Sequence, residues 1–459
     1  MSERIVILGG GESGVGAAWL AHVQGLEVFL SDAGSINQER KDGLNAKGIA
    51  FEEGGHSESK ILNADWIVKS PGIPDSAPLI QKLTKQGTPV ISEIEFGYKY
   101  LPENAKVVAI TGTNGKTTTT LLTHHLLKTA GLDVALGGNV GTSLAGLVAL
   151  GSNDYYVIEV SSFQLDGIRK FRPDVAVLLN ITPDHLDRYE YDFSKYINSK
   201  FKLIENLTQE ECFIYCHDSE PVTAELGRRK VEACVFAISA SRNEKLEAYL
   251  EDTHLIFNYQ FKEQSGKYKI PLSEISLIGK HNMINTMAAV LSALTLGVSM
   301  PHILTGLKTF KNAPHRLELV GEINGVGFIN DSKATNVDAV YYALDGVRAD
   351  IIWVVGGVDK GNDYSQVMDL VKEKVKAIVC LGKDNKEIKA AFGHLKIPII
   401  ETTDVNATVQ EAYALADKKD AVLLSPACAS FDLFRNYEDR GDQFRAAVGR
   451  LKNELKIKA

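Results

Sequence analysis

Cysteine is scarce in this sequence. Cys212, Cys216, Cys234, Cys380 and Cys428 are the five among 459 residues, odd in number and scattered. That excludes a disulfide framework and reads as a set of reduced thiols. Cys212 and Cys216 supply only half of a zinc site, and the simpler reading is two partly buried residues. An excess of positive charge is also missing. Fifty Lys and Arg stand against 58 Asp and Glu, a net charge of −8, which argues against a broad nucleic-acid-binding face. Nor is there a long hydrophobic run. The apolar stretch at 5–8 is too short for a signal-peptide core. Residues 283–307 carry no Asp, Glu, Lys or Arg, but Asn285, Thr286, Ser292, Thr295, Gly297, Pro301 and His302 interrupt them. The remaining apolar length falls short of the roughly 20 residues a membrane span needs. It reads as a buried core helix ending near Gly297. The expectation is a cytoplasmic protein with no membrane span and no nucleic-acid partner.

What is present is ordinary globular composition, 44% hydrophobic, 24% charged and 8% aromatic. At about 150 residues per domain, the length suggests three domains. One supersecondary signal recurs, a short aliphatic strand running into glycines. It appears as RIVILGGGESG from Arg4, KVVAITGTNGKTT from Lys106 and IIWVVGGVDKG from Ile351. Further strands are predicted at 27–31, 66–69, 155–160, 175–180, 377–381 and 421–424. Apolar strands alternating with helical stretches indicate parallel sheet covered on both faces, so the fold class is α/β with several open sheets. Linker-like composition at 101–104 and 311–314 divides the chain into 1–102, 103–312 and 313–459. Alternating residues within 240–275 read as a β-hairpin, and 282–310 as a long helical stretch.

The sharpest chemical signal is Thr111-Gly112-Thr113-Asn114-Gly115-Lys116-Thr117-Thr118, between an apolar strand and a helix starting near Thr117. Glycines let backbone amides approach phosphate oxygens, Lys116 can reach the β- and γ-phosphates, and the Thr117 hydroxyl can ligate Mg²⁺. The strict phosphate-loop pattern has Gly where this chain has Ile110. A triphosphate site also needs a metal carboxylate at a neighbouring strand end, and Glu159 closes YYVIE. The strand VAVLLN runs into Asn180-Ile181-Thr182-Pro183-Asp184-His185, where Thr-Pro-Asp is a helix-start signature and Asp184 a capping residue. In the N-terminal segment, GGGESG resembles a dinucleotide fingerprint, with Asp32 closing the second strand. Ser70-Pro71-Gly72 adds a loop at the same sheet edge.

With these residues placed, the chain resembles the Mur ligases, the ATP-dependent amino-acid-adding enzymes of peptidoglycan synthesis. TGTNGKTT, Glu159, NITPDHLD, the lysine in YINSKFK, GKHN (279–282) and His315-Arg316 occur in that family's order, and the likeness covers essentially the whole chain. DSKATN (331–336) and LSPACASFD (424–432) resemble the D-glutamate-adding branch, whose siblings carry a DYAH- or DYNA-type segment instead of DSKATN. The resemblance implies a Rossmann-like N-terminal domain, a central P-loop ATPase-like domain and a Rossmann-like C-terminal domain. It implies ATP as co-substrate, two Mg²⁺ ions, and UDP-N-acetylmuramoyl-L-alanine and D-glutamate as substrates; the sequence does not give the oligomeric state, for which a monomer is favoured.

Residue by residue, it implies ATP contacts at Gly112, Thr113, Asn114, Gly115, Lys116, Thr117, Thr118, Asn282, Asn285, Arg316 and Asp331. Metal would be held by Thr117, Glu159, His185 and Lys200, the last as a carbamate; Lys116, His185, Lys200 and Lys333 would carry the chemistry. Gly11, Glu12, Ser13, Gly14, Asp32, Ser70, Pro71 and Gly72 would receive the UDP end, and Asn139, Ser161 and Gln164 the muramoyl-alanine end. Thr335, Lys360, Ser430, Phe431 and Tyr437 would hold D-glutamate. Closure of the third domain is expected, with 312–316 as hinge. Three rival readings stay open. Another ligase of the same superfamily would fit the phosphate loop but not DSKATN. An oxidoreductase using the first glycine loop leaves Lys116, Glu159 and His185 unexplained. A nucleotide-dependent switch leaves the C-terminal set without a task.

Overall fold

The three aliphatic segments that run into glycine become interior strands, because a run apolar on both sides has no polar face to turn to water. They are found in a computed structural model that describes residues 3–458. The first sheet contains β1 (Arg4–Leu8), β2 (Glu27–Ser31), β3 (Ala50–Glu52), β4 (Trp66–Lys69) and β5 (Val90–Ser92). Its order is β3-β2-β1-β4-β5 and every pair is parallel. The winding direction reverses between β1 and β4, which leaves a crevice beyond their C-terminal ends. GGGESG and Ser70-Pro71-Gly72 both begin there.

The second sheet contains β6 (Lys106–Thr111), β7 (Val134–Gly138), β8 (Tyr155–Glu159), β9 (Val175–Leu178), β10 (Cys212–Cys216), β11 (Cys234–Ser239), β12 (Ala248–Glu251), β13 (His254–Phe261) and β14 (Gln264–Pro271). The order β14-β13-β12-β11-β10-β9-β6-β8-β7 puts β6 between β9 and β8, with the predicted hairpin as the antiparallel edge. The third sheet contains β15 (Glu318–Ile323), β16 (Val326–Asn330), β17 (Ile351–Val355), β18 (Val375–Leu381), β19 (Ile399–Thr402) and β20 (Ala421–Leu424). Its order is β15-β16-β20-β17-β18-β19, parallel except for β15. The ends of β16, β20 and β17 are therefore neighbours. The class is α/β with three sheets.

Two compact units emerge. One holds the first two sheets, up to Ser276 together with Met283–Phe310; the other holds the third sheet, with Leu277–Asn282 and the chain from Lys311 onward. The stretch 282–310 divides into two helices, Lys280–Thr295 and Met300–Thr309. Gly297, at φ 83°, and Pro301 supply the break. Among the described residues no helix is long and apolar enough to cross a membrane. Cys212 and Cys216 are buried in β10, and burial pushes the Cys216 thiol up to about 12.

Within the first unit, the two sheets are joined by carboxylates that accept backbone amides. Glu95, in the helix Glu93–Lys99, accepts from the amides of Arg169 at 2.8 Å, Lys170 at 2.9 Å and Phe171 at 2.9 Å. The neighbouring Glu93 is buried and accepts from the Ala145 amide; burial pushes its carboxyl up to about 8. The Ser92 amide donates to the Gly167 carbonyl at 2.9 Å. Removing Glu95 strands three amides that its buried carboxylate now satisfies. Glu95→Ala is expected to lower stability by about 3 kcal/mol, because hydrogen bonds to a charged acceptor contribute roughly 1.5–3 kcal/mol each and water entering the vacated site offsets part of the loss of three. A urea midpoint equal to that of the wild type would show that water replaces the carboxylate.

Candidate active site

The loop after β6 needs glycine at one place above all. Gly115 caps the helix Lys116–Thr129 at φ 86°, and a Cβ there would lie 2.4 Å from the Asn285 side-chain oxygen. Only glycine meets both the left-handed backbone and the close approach. Asn285 also accepts from the Thr119 hydroxyl at 3.2 Å. The loop is held from the end of β9. Asn180 Oδ1 accepts from the Asn114 amide at 2.8 Å, and Asn180 Nδ2 donates to the Asn114 carbonyl at 3.0 Å. The Thr113 hydroxyl donates to the Thr182 carbonyl at 3.1 Å and lies 3.2 Å from the Tyr196 hydroxyl. Ile110 is a buried strand residue paired with Glu159 and Val177, so the departure from the strict motif falls inside β6. A rigid glycine loop ending at a helix N-terminus is a receptor for phosphate oxygens.

Two lysines meet on one carbonyl of this loop. Lys116 Nζ donates to Gly112 O at 2.9 Å and to Thr113 O at 2.8 Å. Lys200, from the helix Phe193–Phe201, donates to the same Gly112 O at 2.8 Å. Lys200 is 1% exposed, and its Nζ lies 4.7 Å from the centre of the Tyr196 ring. Burial, and after it the charge of Lys116, holds its amine well below the usual lysine range.

Oxygen donors gather beside them. The Thr117 hydroxyl donates to Glu159 Oε2 at 2.6 Å, and Asn139 Nδ2 donates to Glu159 Oε1 at 2.7 Å. A hydroxyl and a carboxylate are the hard donors that Mg²⁺ takes. Among the described residues no group of three or more His, Cys, Asp and Glu is assembled for a metal. A cation held at Thr117 and Glu159 would therefore complete its shell with phosphate and water oxygens, the usual arrangement for Mg²⁺.

The segment after β9 does not start an α-helix. His185 adopts φ 51° and precedes a short 3₁₀ turn, Leu186–Tyr189, while Asp184 Oδ1 accepts the His185 amide at 3.0 Å. The His185 side chain is exposed and sits edge-on to Phe163, with ring centres 5.3 Å apart. Ser161 and Gln164 form a reciprocal capping box for the helix Ser162–Leu165. The Gln164 amide donates to Ser161 Oγ at 3.3 Å, and the Ser161 amide donates to Gln164 Oε1 at 2.9 Å. Their first task is thus to shape the turn after Glu159.

In the first sheet, Gly11 caps the helix Glu12–Val23, which places Glu12, Ser13 and Gly14 in its first turn. Glu12 Oε1 accepts from the Ser143 amide at 3.3 Å. Asp32, expected at the UDP end, uses both oxygens on backbone: one accepts from the Gly10 amide, the other from the Gly34 amide at 2.7 Å. It fixes the loops that border the crevice. The Ser70 hydroxyl is buried and has no hydrogen-bond partner among the described residues.

The second unit assembles its own set at the ends of β16, β20 and β17. Asp331 is buried, accepts from the Leu317 amide at 3.1 Å and the Ser425 hydroxyl at 3.0 Å, and is pushed up to about 7 by burial. This ties down Arg316, which lies between His315 and Leu317, both at positive φ. Lys333 Nζ lies 3.7 Å from the centre of the Tyr437 ring. Thr335 is half-buried in the same segment, and Ser430 is buried. Phe431 is 73% exposed, and Lys360 is exposed on a loop joined to Ala429 through the Val358 backbone. Asn282 Nδ2 donates to the Ile278 carbonyl at 2.8 Å.

Sequence reasoning missed the residues that hold these loops. Asn180 and Tyr196 brace the phosphate loop as described. Arg440 is buried within the helix Tyr437–Lys458. Its guanidinium donates to Ser332 Oγ at 2.9 Å and to the carbonyls of Ser332 at 2.8 Å, Cys428 at 3.2 Å and Gly356 at 3.3 Å. One side chain thus binds DSKATN, SPACASFD and GGVDKGND together. Burial pushes it down to about 10. Asn180 had a signal, a polar residue closing an apolar strand. Arg440, in YEDRGDQFR, had none.

Comparison with known proteins agrees with this architecture. Residues 4–78 match the MurD N-terminal domain, 110–293 the Mur ligase middle domain, and 315–428 the Mur ligase glutamate ligase domain. The UDP-N-acetylmuramoylalanine–D-glutamate ligase of Christiangramia forsetii is 49% identical over 451 residues, covering 98% of this chain and 100% of that protein. The protein of the same name from Bacteroides fragilis is 48% identical over 450 residues, with the same coverage. Among solved structures, the UDP-N-acetylmuramate-alanine ligase MurC of Thermotoga maritima aligns with a TM-score of 0.60 at 18% identity, over 98% of this chain and 99% of that one. The MurF ligase of Thermotoga maritima in complex with ADP also gives 0.60 at 18% identity, over 94% and 96%. These two share the fold. With relatives of such identity along nearly its whole length, the chain belongs to the Mur ligase family, in the branch of the UDP-N-acetylmuramoylalanine–D-glutamate ligases.

Proposed function

We propose that this protein joins D-glutamate to UDP-N-acetylmuramoyl-L-alanine with ATP, in the cytoplasm, as a monomer. The observation that carries the reading is the convergence of Lys116, Thr117, Glu159 and Lys200 on one glycine loop; the full-length relatives support the choice of substrates. A carboxylate is a poor electrophile, so the γ-phosphoryl group of ATP passes first to the alanyl carboxylate. The amine of D-glutamate then attacks the acyl phosphate, the amide forms, and phosphate leaves with its electron pair.

The chain's own residues supply the electrostatics. The loop amides and the helix N-terminus at Lys116 receive phosphate oxygens, and Lys116 follows the charge as the phosphoryl group moves. Thr117 and Glu159 would hold one Mg²⁺, and His185 with Lys200 a second; bound there, the ions neutralise charge between phosphate and carboxylate. Asn139, Ser161 and Gln164 border the acceptor end, while Gly11 to Gly14 and Ser70 to Gly72 receive the diphosphate. The buried Ser70 hydroxyl, without a hydrogen-bond partner among the described residues, supports that placement. In the second unit, Asn282, Arg316 and Asp331 would serve the adenosine. Lys333, Thr335, Lys360, Ser430, Tyr437 and the backbone at Phe431 would take D-glutamate, whose two carboxylates need several donors.

Three measurements test this. Phosphate release from ATP with UDP-N-acetylmuramoyl-L-alanine present is expected with D-glutamate and not with L-glutamate or L-alanine. Robust turnover of L-alanine with UDP-N-acetylmuramate would overturn the substrate reading. Lys116→Ala is expected to lower kcat by about 10² or more while the protein stays folded, because its charge is needed most in the transition state; near-normal kcat would remove Lys116 from the phosphate.

The third concerns Lys200. A bare ammonium beside Mg²⁺ only repels, whereas a buried amine with a depressed pKa can add CO₂ and become an anionic oxygen donor. Lys200→Ala is expected to be nearly inactive and partly rescued by short-chain carboxylates, and Lys200→Arg to stay inactive despite its charge. ¹³C-labelled bicarbonate is expected to give a carbamate resonance that is absent from both variants. A normally active arginine variant, or no such resonance in the active enzyme, would sink the carbamate.

A further inference from the structure

We infer that Arg188 is a positioning residue whose guanidinium fixes the 70–72 loop to the turn carrying His185, and so aligns the two ends of the nucleotide-sugar substrate. The inference rests on the reading above, in which the 70–72 loop receives the diphosphate and His185 stands at the reacting end.

The geometry is a fork. Arg188 Nη1 donates to the Gly72 carbonyl at 2.9 Å and Nη2 to the Pro71 carbonyl at 3.1 Å. Two successive peptide planes are set by one rigid group. The guanidinium carbon of the same side chain lies over the Phe163 ring, 4.6 Å from its centre. Phe163 in turn meets His185 edge-on at 5.3 Å and stacks with Tyr189 at 6.0 Å. A continuous path of contact therefore runs from the first sheet's crevice loop to the His185 ring through one arginine.

The loop's other anchors leave it needing this one. Lys69 Nζ donates to the Ile73 carbonyl at 2.7 Å and pairs with Asp75 at 2.8 Å, which secures the loop beyond residue 72. On the near side, Gly9 at φ 99° lets the first glycine loop press against Ser70, where a Cβ would lie 2.4 Å from its hydroxyl. Between those points, the carbonyls of Pro71 and Gly72 are held from the second sheet. A fork that bonds two carbonyls while stacking on a ring suits arginine and not lysine, which is a point charge without a planar face. The substrate gives the arrangement its use. Its diphosphate and its alanyl carboxylate belong to one molecule, and a small error in their spacing misplaces the reacting carboxylate.

Hydrogen exchange without ligand is the first arm of the test. In Arg188→Ala, exchange at the Ile73 amide, which donates to the Ser70 carbonyl at 3.1 Å, is expected to quicken by about tenfold, with the strand Lys106–Thr111 unchanged. Kinetics form the second arm: KM for UDP-N-acetylmuramoyl-L-alanine is expected to rise about tenfold while KM for ATP and for D-glutamate stays within about twofold. Arg188→Lys is expected to recover little of the loss. Unchanged exchange would overturn the fork, and quickened exchange with an unchanged nucleotide-sugar KM would overturn the alignment. Full rescue by lysine would reduce the role to charge alone and also overturn the fork. A wild-type enzyme that fails to turn over this nucleotide sugar would overturn the functional reading and the alignment with it, leaving exchange to decide the fork.

Discussion

The Gly112 carbonyl, shared by two lysine amines, is the contact on which the rest of the active site depends. Lys116 and Lys200 reach it at 2.9 and 2.8 Å, one from the loop's own helix and one from 84 residues further along the chain. Positive charge concentrated in a largely buried place is unfavourable by itself. It becomes useful where a triphosphate and a carboxylate, both anionic, must be brought within bonding distance. The depressed basicity of Lys200 goes with it, since burial, and after it the charge of Lys116, disfavours the charged amine. The pairing of Thr117 with Glu159 and of Glu159 with Asn139 places negative charge where it offsets the lysines while orienting hard oxygen donors.

The same economy governs the loops around this contact. A loop at a strand end has amides and carbonyls with no ladder to join, and each must find a partner when buried. Here the partners are charged side chains used in a consistent sense. Carboxylates take amides, as Glu95 does for residues 169–171, Asp32 for Gly10 and Gly34, and Asp331 for Leu317. Cations take carbonyls, as Arg440 does for Ser332, Gly356 and Cys428, and Arg188 for Pro71 and Gly72. Irregular backbone is thereby made rigid without being regular, which is what a site built on loops requires.

Much of this was legible in the sequence. Three aliphatic strands running into glycine were enough to place three sheets, because a strand buried on both faces leaves an uninterrupted apolar run and a glycine marks where it ends. Strands 27–31, 66–69 and 421–424 fall where they were expected. The phosphate loop and Glu159 were readable because motif and strand end coincide. One local reading went otherwise. Thr-Pro-Asp announced a helix, but His185 takes a left-handed conformation and only a 3₁₀ turn follows.

The residues that reading along the chain missed share a cause. Arg188, Arg440, Glu93 and Glu95 all bind backbone, and a backbone amide or carbonyl has no sequence signature. A charged side chain that pairs with another leaves two marks in the sequence; one that pairs with a peptide group leaves one, and that mark looks like a solvated surface residue. Arg440 sits in a helix flanked by Glu438, Asp439 and Asp442, which is the pattern of an exposed face, yet it is 1% exposed. Only the topology reveals the difference. When β16, β20 and β17 end side by side, three sets of loop carbonyls converge, and a long cation projecting among them has more to gain from those dipoles than from water. The phosphate-handling groups could be read one by one. The groups that hold them still become visible only when strand order says which loops are neighbours.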